Sequence, residues 1–239
     1  MDTLRGRAAN TLIGLATALA IVAVTLPLFL NPLWVAFEQD RSQATDWTGF
    51  TEPELRTATD AILSDLVIGP PAFDVAVAGS PVLNERERGH MRDVRGVFIG
   101  FFAAAVLLGA VAIVVCARRR GAARSASWRA MRAGALTLIA VLVVGGVVAV
   151  VAFDAMFEVF HRIFFAGGSY TFDPSTERLV QLFPFAFWQE TALAVGAVCI
   201  VLAGLLAVVA SRRAAATTAD QSAGDTLTAT SLRATGPTR

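Results

Sequence analysis

At 239 residues, 55% hydrophobic and only 16% charged, the chain is too apolar for an ordinary soluble domain of its length. Its net charge of +1 says little about partners, and no nucleic-acid partner is expected. The cysteines, Cys116 and Cys199, both fall inside apolar runs, so no disulfide framework is expected in the loops.

In chain order, the first long apolar run is Leu12–Leu30, preceded by Arg5 and Arg7. A cleaved signal sequence has the same charged lead, but its apolar region usually runs about 7–15 residues, so this longer run is read as a membrane span. Thr51 and Glu54 then form a capping box with Pro53 in the first turn, which predicts a helix over Glu52–Val67 with Leu55, Ile62, Leu63 and Leu66 on one face. Such a helix suits the headgroup plane or the ends of the spans, most simply as a brace. Gly69, Pro70, Pro71, Gly79 and Pro81 make Ile68–Val82 a loop, with a short strand expected at Phe73–Val77. Asn84, with Glu87 three residues on, caps a second helix running unbroken from about Glu85 to Ala117, whose span is Gly96–Ala117.

The connection Arg118–Arg132 carries six arginines and no acid. After it, the third span, Ala133–Phe153, reads on past the apolar run through Asp154, Phe157, Glu158 and His161 on one face, ending at Gly167 and Gly168. The aromatic run Leu182–Trp188 suits a lipid–water boundary and leads into the fourth span, Thr191–Ala210. Beyond Arg213 the tail is rich in Ala, Thr, Ser and Gly without an apolar period, so residues 214–239 are expected to be disordered. The fold class expected is an all-α membrane protein, a four-transmembrane-helix bundle over residues 1–213. The arginines place both termini and the middle loop in the cytoplasm by the positive-inside rule. Segments 38–95 and 154–190, which hold nearly all the acids, then face outward.

The chain has two histidines, His90 and His161. His90 precedes its apolar run by about 10 Å of helix and His161 follows its own by about 12 Å, so both stand at similar height on the outward side. The short connection between the second and third spans makes those helices antiparallel neighbours. Glu87 and Asp93 lie one turn from His90, and Glu158 one turn from His161. An imidazole whose tautomer is fixed by a neighbour is suited to proton transfer near neutral pH. The bland alternative is two interfacial polar side chains. A zinc site is a further option, but there is no His-x-x-x-His pair, and no metal or cofactor is expected. No outward cysteine or serine sits in a nucleophile motif, so the chemistry expected has no covalent enzyme intermediate.

The string Glu87, His90, Met91, Asp93, Val94 and Arg95 resembles the E-x-x-HM-x-DV-K/R signature of the lipoprotein intramolecular transacylases. Phe157–Phe165, followed by Phe172-Asp173-Pro174, Leu179-Val180 and Pro184, resembles that family's second signature, with Tyr170 where its pattern has Trp. The resemblance covers most of residues 11–210. It implies transfer of the sn-2 acyl chain of a lipoprotein's diacylglyceryl group to the N-terminal cysteine amine, with His90 and His161 as the catalytic pair. The partners implied are a diacylated lipoprotein N-terminus, as substrate, and membrane lipid. Arg92, Arg95 or Arg162 would stabilise the oxyanion, and Glu87, Asp93 and Glu158 would orient the imidazoles. Two non-enzymatic readings compete: a membrane scaffold or accessory protein, and a small transporter. Against the second, the spans carry no mid-membrane ionisable residue.

Overall fold

The computed structural model describes residues 2–165 and 167–234, with the side chains of residues 2, 3, 221 and 223–234 left out. The elements in order are α1 (Asp2–Thr25), α2 (Pro32–Arg41), α3 (Ala44–Thr48), α4 (Glu52–Val67), β1 (Ala76–Val77), β2 (Ser80–Pro81), α5 (Glu85–Arg118), α6 (Ala122–Val151), α7 (Phe153–Phe164), α8 (Arg178–Leu182) and α9 (Phe185–Ala234). Among the described residues four helices are long and apolar enough to cross a membrane, within Leu4–Leu28, Glu85–Arg118, Ala122–Val151 and Phe185–Asp220. Side chains such as Val106, Val144 and Leu205 are more than half exposed on them, as expected for helix faces solvated by lipid.

The chain divides into two compact units. One comprises residues 1–22, 105–141 and 199 onward; the other comprises 23–104 and 142–198. The first is built on close helix contact. At the meeting of α1 and α6, a Cβ added to Gly134 would lie 2.2 Å from the Gly14 carbonyl oxygen, so only glycine lets these backbones touch. Ile13, Ala16, Ala112 and Ala130 fill the space beside that contact.

The second unit has an apolar core of its own. Leu55, Ile62, Leu63 and Leu66 of α4 are buried with Val35, Phe73, Leu83, Leu182 and Phe187. The α4 capping box forms as its sequence dictates, with Glu54 Oε2 accepting from the Thr51 N–H at 2.9 Å. The short strand expected at Phe73–Val77 narrows to Ala76–Val77, paired antiparallel with Ser80–Pro81.

Several features differ from the sequence expectation. Segment 32–48, which shows no long apolar period, forms α2 and α3; α2 starts because the Asn31 side chain accepts from the Leu33 and Trp34 N–H groups ahead of Pro32. The third long helix breaks. Ala152 leaves helical geometry at φ −152°, ψ 48°, so α6 and α7 are separate and α7 stops at Phe164. The Val-rich run before the break is weakly helical, and Asp154 favours a new N-terminus. The break frees the Ala149 carbonyl from its i+4 partner, and Gln189 Nε2 donates to it at 2.8 Å. The tail expected to be disordered from residue 214 is instead helical through Ala234; the expectation for 235–239 lies outside the described residues. An Ala-rich stretch extends a helix that is already nucleated at little cost, and Ser125 Oγ holds this one at the Ala214 carbonyl (3.3 Å) and Thr218 Oγ1 (3.2 Å).

Candidate active site

The second unit contains both histidines, and their positions follow from two helix ends. At the start of α5, Asn84 Oδ1 accepts from the Glu87 N–H (3.0 Å), and Glu87 Oε2 accepts from the Asn84 N–H (2.7 Å). This reciprocal cap fixes the first turn. Glu87 is buried, and its other oxygen accepts from the Leu179 N–H at 2.6 Å, joining α5 to α8. One turn further on stands His90. His161 comes from the last turn of α7.

The two imidazoles lie 6.0 Å apart, centroid to centroid, with planes inclined by 24°. Both are buried, at 6% and 7% exposure, so two polar rings are enclosed side by side. Aromatic rings wall the pair. Phe165 touches both, at 4.8 Å from His90 and 5.4 Å from His161. Phe172 packs on His90 at 5.4 Å, while Phe157 and Tyr170 pack on His161 at 4.0 and 5.0 Å.

The hydrogen bonding distinguishes the two rings. His161 Nδ1 is 2.8 Å from the Phe157 carbonyl oxygen. A carbonyl can only accept, so Nδ1 carries the hydrogen and the Nε2 lone pair is free to take a proton. Burial pushes the His161 pKa below the ordinary histidine value, opposed by the Phe157 carbonyl and the Glu158 charge. His90 Nδ1 is buried with no hydrogen-bond partner among the described residues. A buried unpaired ring nitrogen is costly, and a substrate group can satisfy it.

The remaining candidates lie around the pair rather than between its members. Glu87 is fully used by the Asn84 and Leu179 main chain. Asp93 is exposed one turn beyond His90. Arg92 pairs with Glu85 at 2.8 Å, and Arg95 donates to the carbonyls of Asp65 and Gly69, closing the end of α4. Glu158 Oε1 accepts from Arg162 Nε (2.8 Å) and from the Tyr170 hydroxyl (3.2 Å), so it holds the ring that packs on His161. No group of three or more His, Cys, Asp or Glu side chains converges among the described residues.

Sequence reasoning passed over a clasp that positions Phe172. Arg86 binds the Glu177 carboxylate, donates to the Thr171 carbonyl at 2.7 Å, and lies 4.8 Å over the Phe172 ring. Glu177, 8% exposed, also accepts from the Asp173 N–H (2.6 Å) and the Asn84 amide (3.3 Å). Burial raises the Glu177 pKa, but these donors outweigh it and hold the carboxyl below its usual range. Arg86 and Glu177 lie 91 positions apart, so no local spacing marks them as partners. The Asn84 cap was the only visible sign that this turn of α5 is specially built.

Comparison with known proteins gives a consistent picture. The family model described as "Lipoprotein intramolecular transacylase Lit" matches residues 11–188. The solved structure of the membrane integral lipoprotein intramolecular transacylase Lit from Bacillus cereus has a TM-score of 0.70 and 17% identity, covering 89% of this chain and 97% of that one. Histidine-to-arginine and histidine-to-alanine variants of the same Bacillus cereus protein match with TM-scores of 0.64 and 0.65 and identities of 14% and 16%. They cover 93% and 88% of this chain, and 96% and 94% of theirs. At these identities the likeness establishes a shared fold. No curated protein matches the chain.

Proposed function

The chain belongs to the lipoprotein intramolecular transacylase family, and from that premise we propose that it moves the sn-2 acyl chain of a lipoprotein's diacylglyceryl group onto the α-amine of the same lipoprotein's N-terminal cysteine. The observation that carries the reading is the pair of imidazoles at 6.0 Å in an aromatic pocket, formed by the chain's only two histidines.

The reaction suits a site without a nucleophile. Amine and ester belong to one molecule, so holding them in contact supplies a high effective concentration. The free amine attacks the ester carbonyl carbon, forming the C–N bond and pushing electrons onto the carbonyl oxygen. Nε2 of His161 takes the proton from the attacking nitrogen. Collapse breaks the ester C–O bond, and the proton passes from an imidazolium, His161 or its neighbour His90, to the glyceryl oxygen. One ester becomes one amide and one alcohol, so no further reactant is needed. Apolar walls exclude water that would otherwise hydrolyse the ester.

The supporting roles are assigned by position. Glu158, through Tyr170, and Glu87, through the α5 cap, hold the two rings in place. Asp93 supplies a negative charge one turn from His90. Arg92, Arg95 or Arg162 would meet the oxyanion after giving up its present partner: Glu85 for Arg92, the end of α4 for Arg95 and Glu158 for Arg162. The arginine distribution supports an active face outside the bacterial cytoplasmic membrane.

The test is mass spectrometry of lipoprotein N-termini from a host lacking other N-acylation. The wild-type chain is expected to produce the lyso form, and His90→Ala and His161→Ala to produce none while still reaching the membrane. Normal product from both variants would reject the reading.

A further inference from the structure

In the first unit, α1 and α6 enclose a lateral groove of about 590 Å³, lined by none of the residues assigned above. That volume lies within the range of small-molecule sites. Gly14 meets Gly134 while Arg119 donates to both Asn10 and Ser127, so the two helices run in the same direction along it, and Asn10, Gly14 and Ala18 of α1 line it with Arg129, Ala133 and Thr137 of α6. Eight residues of helix make the groove about 12 Å long. The Gly14–Gly134 backbone contact forms its floor and holds its walls at a fixed separation. One end is polar and basic, with Asn10 and Arg129, and the other is lined mainly by apolar groups, Leu15 and Ala18, with Thr137 beside them.

The charge at the polar end is one-sided. Among described side chains this unit carries Arg5, Arg7, Arg212, Arg213 and six arginines of segment 118–132, against a single acid, Asp220. Arg129 is exposed at the groove mouth and uses one N–H on Ser125 Oγ (2.6 Å), leaving the rest of its fork. Asn10 Oδ1 accepts from Arg119 at 2.6 Å, so the Asn10 amide donors point away from that bond, and a second guanidinium stands behind it. A planar guanidinium grips a phosphate with two parallel hydrogen bonds.

We propose that this groove binds one anionic glycerophospholipid, its phosphate on Arg129 and Asn10 and one acyl chain laid over Gly14, Ala18 and Ala133. Basic pockets between membrane helices bind acidic lipid headgroups for this reason. The site is separate from the histidine pocket, so its occupancy does not depend on the transacylase reading.

The test is native mass spectrometry of the full chain, equilibrated in detergent with equal amounts of phosphatidylglycerol and phosphatidylcholine. The wild type is expected to retain one phosphatidylglycerol in preference to phosphatidylcholine. Arg129→Gln removes the anion contact, and Ala133→Leu fills the groove from its exposed wall without altering charge. Each is expected to cut retention by about tenfold or more. Arg213→Gln, which lies in the same unit outside the groove, is expected to change nothing. Equal retention of the two lipids, or unchanged retention in both groove variants, overturns the proposal. So does an equal loss in Arg213→Gln, which would mean diffuse charge attraction. Displacement of bound lipid by inorganic phosphate alone, or a dimer in place of the lipid adduct, would assign the groove to a free anion or a second copy and overturn it too. If Ala133→Leu fails to fold, Arg129→Gln against Arg213→Gln still decides.

Discussion

In the acyl transfer proposed, a single bond decides which nitrogen of His161 would take the proton. Because the Phe157 carbonyl fixes the Nδ1 hydrogen, that role would fall to Nε2, and because burial lowers the pKa, that nitrogen stays unprotonated through neutral pH. The substrate's α-ammonium, with an ordinary pKa near 8, gives kcat/KM one acid limb of its own. The enzyme is expected to add a second limb below about 6.5, where the slope of log kcat/KM against pH steepens from one to two. A steepening at or above that value would remove His161 as the base. A different residue governs stability. Glu38 is buried with Oε1 unpartnered among the described residues, and Arg41 pairs with Glu190 instead, at 2.7 Å. Burial, then the hydrogen bond and charge of Glu190, push Glu38 up to about 7, against the opposing pull of Arg41. Between its unfolded value of 4.5 and about 7 only the folded chain holds this proton, so stability falls as pH rises through that window. Glu38→Gln is expected to match the wild type at pH 5 and to exceed it at pH 8, by at most about 3 kcal/mol. Thermal unfolding in detergent at the two pH values checks this, and equal wild-type stability at both would refute it. The histidines were legible in the sequence because there are only two and both flank spans on one side. Glu38 was not, since nothing local tells a buried carboxylate from a solvated one.

Secondary elements were legible where their signals are local. α4 matches its sequence bounds because its cap, its early proline and its apolar face all agree, and α5 starts at the Asn84–Glu87 cap as its residues imply. The break at Ala152 and the short helix α8 were hidden because tertiary contacts support them, Gln189 on Ala149 and Glu87 on Leu179, whereas α2 has a local signal in its Asn31 cap ahead of Pro32 but no long apolar period to extend it. The clasp between α5 and the 170–182 segment is of that kind. Arg86 holds three things at once: the Glu177 carboxylate, the Thr171 carbonyl and the Phe172 face. Phe172 in turn packs on His90, so the clasp sets one wall of the pocket. Arg86→Ala is expected to lower kcat by about 10–100-fold, since small misplacements at a reacting centre are costly. Arg86→Lys, which keeps the charge and loses the fork, should fall between. Kinetics on a diacylated lipopeptide would separate the effects. A drop in thermal stability with kcat untouched would leave the clasp a purely structural device.

At the scale of the molecule, composition alone made the four spans legible: uncharged runs of about 20 residues have few places to go but a bilayer. Orientation rests on a different physical argument, the retention of arginine-rich segments on the cytoplasmic side. The two arguments meet in one experiment, because the chemistry proposed needs the histidine-bearing unit to face the compartment where lipoproteins carry their lipids. The native cysteines offer little background: Cys199 is buried and Cys116 partly so, both within spans. Asp74, in the loop between α4 and α5, and Arg120, between α5 and α6, are both exposed, so a cysteine at either is open to a water-soluble reagent. With intact cells a membrane-impermeant maleimide is expected to label Asp74→Cys, and to label Arg120→Cys only after the membrane is permeabilised. The reverse pattern would turn the histidine pocket toward the cytoplasm, away from mature lipoproteins, and the acyl-transfer proposal would fail with it even if both imidazoles proved essential.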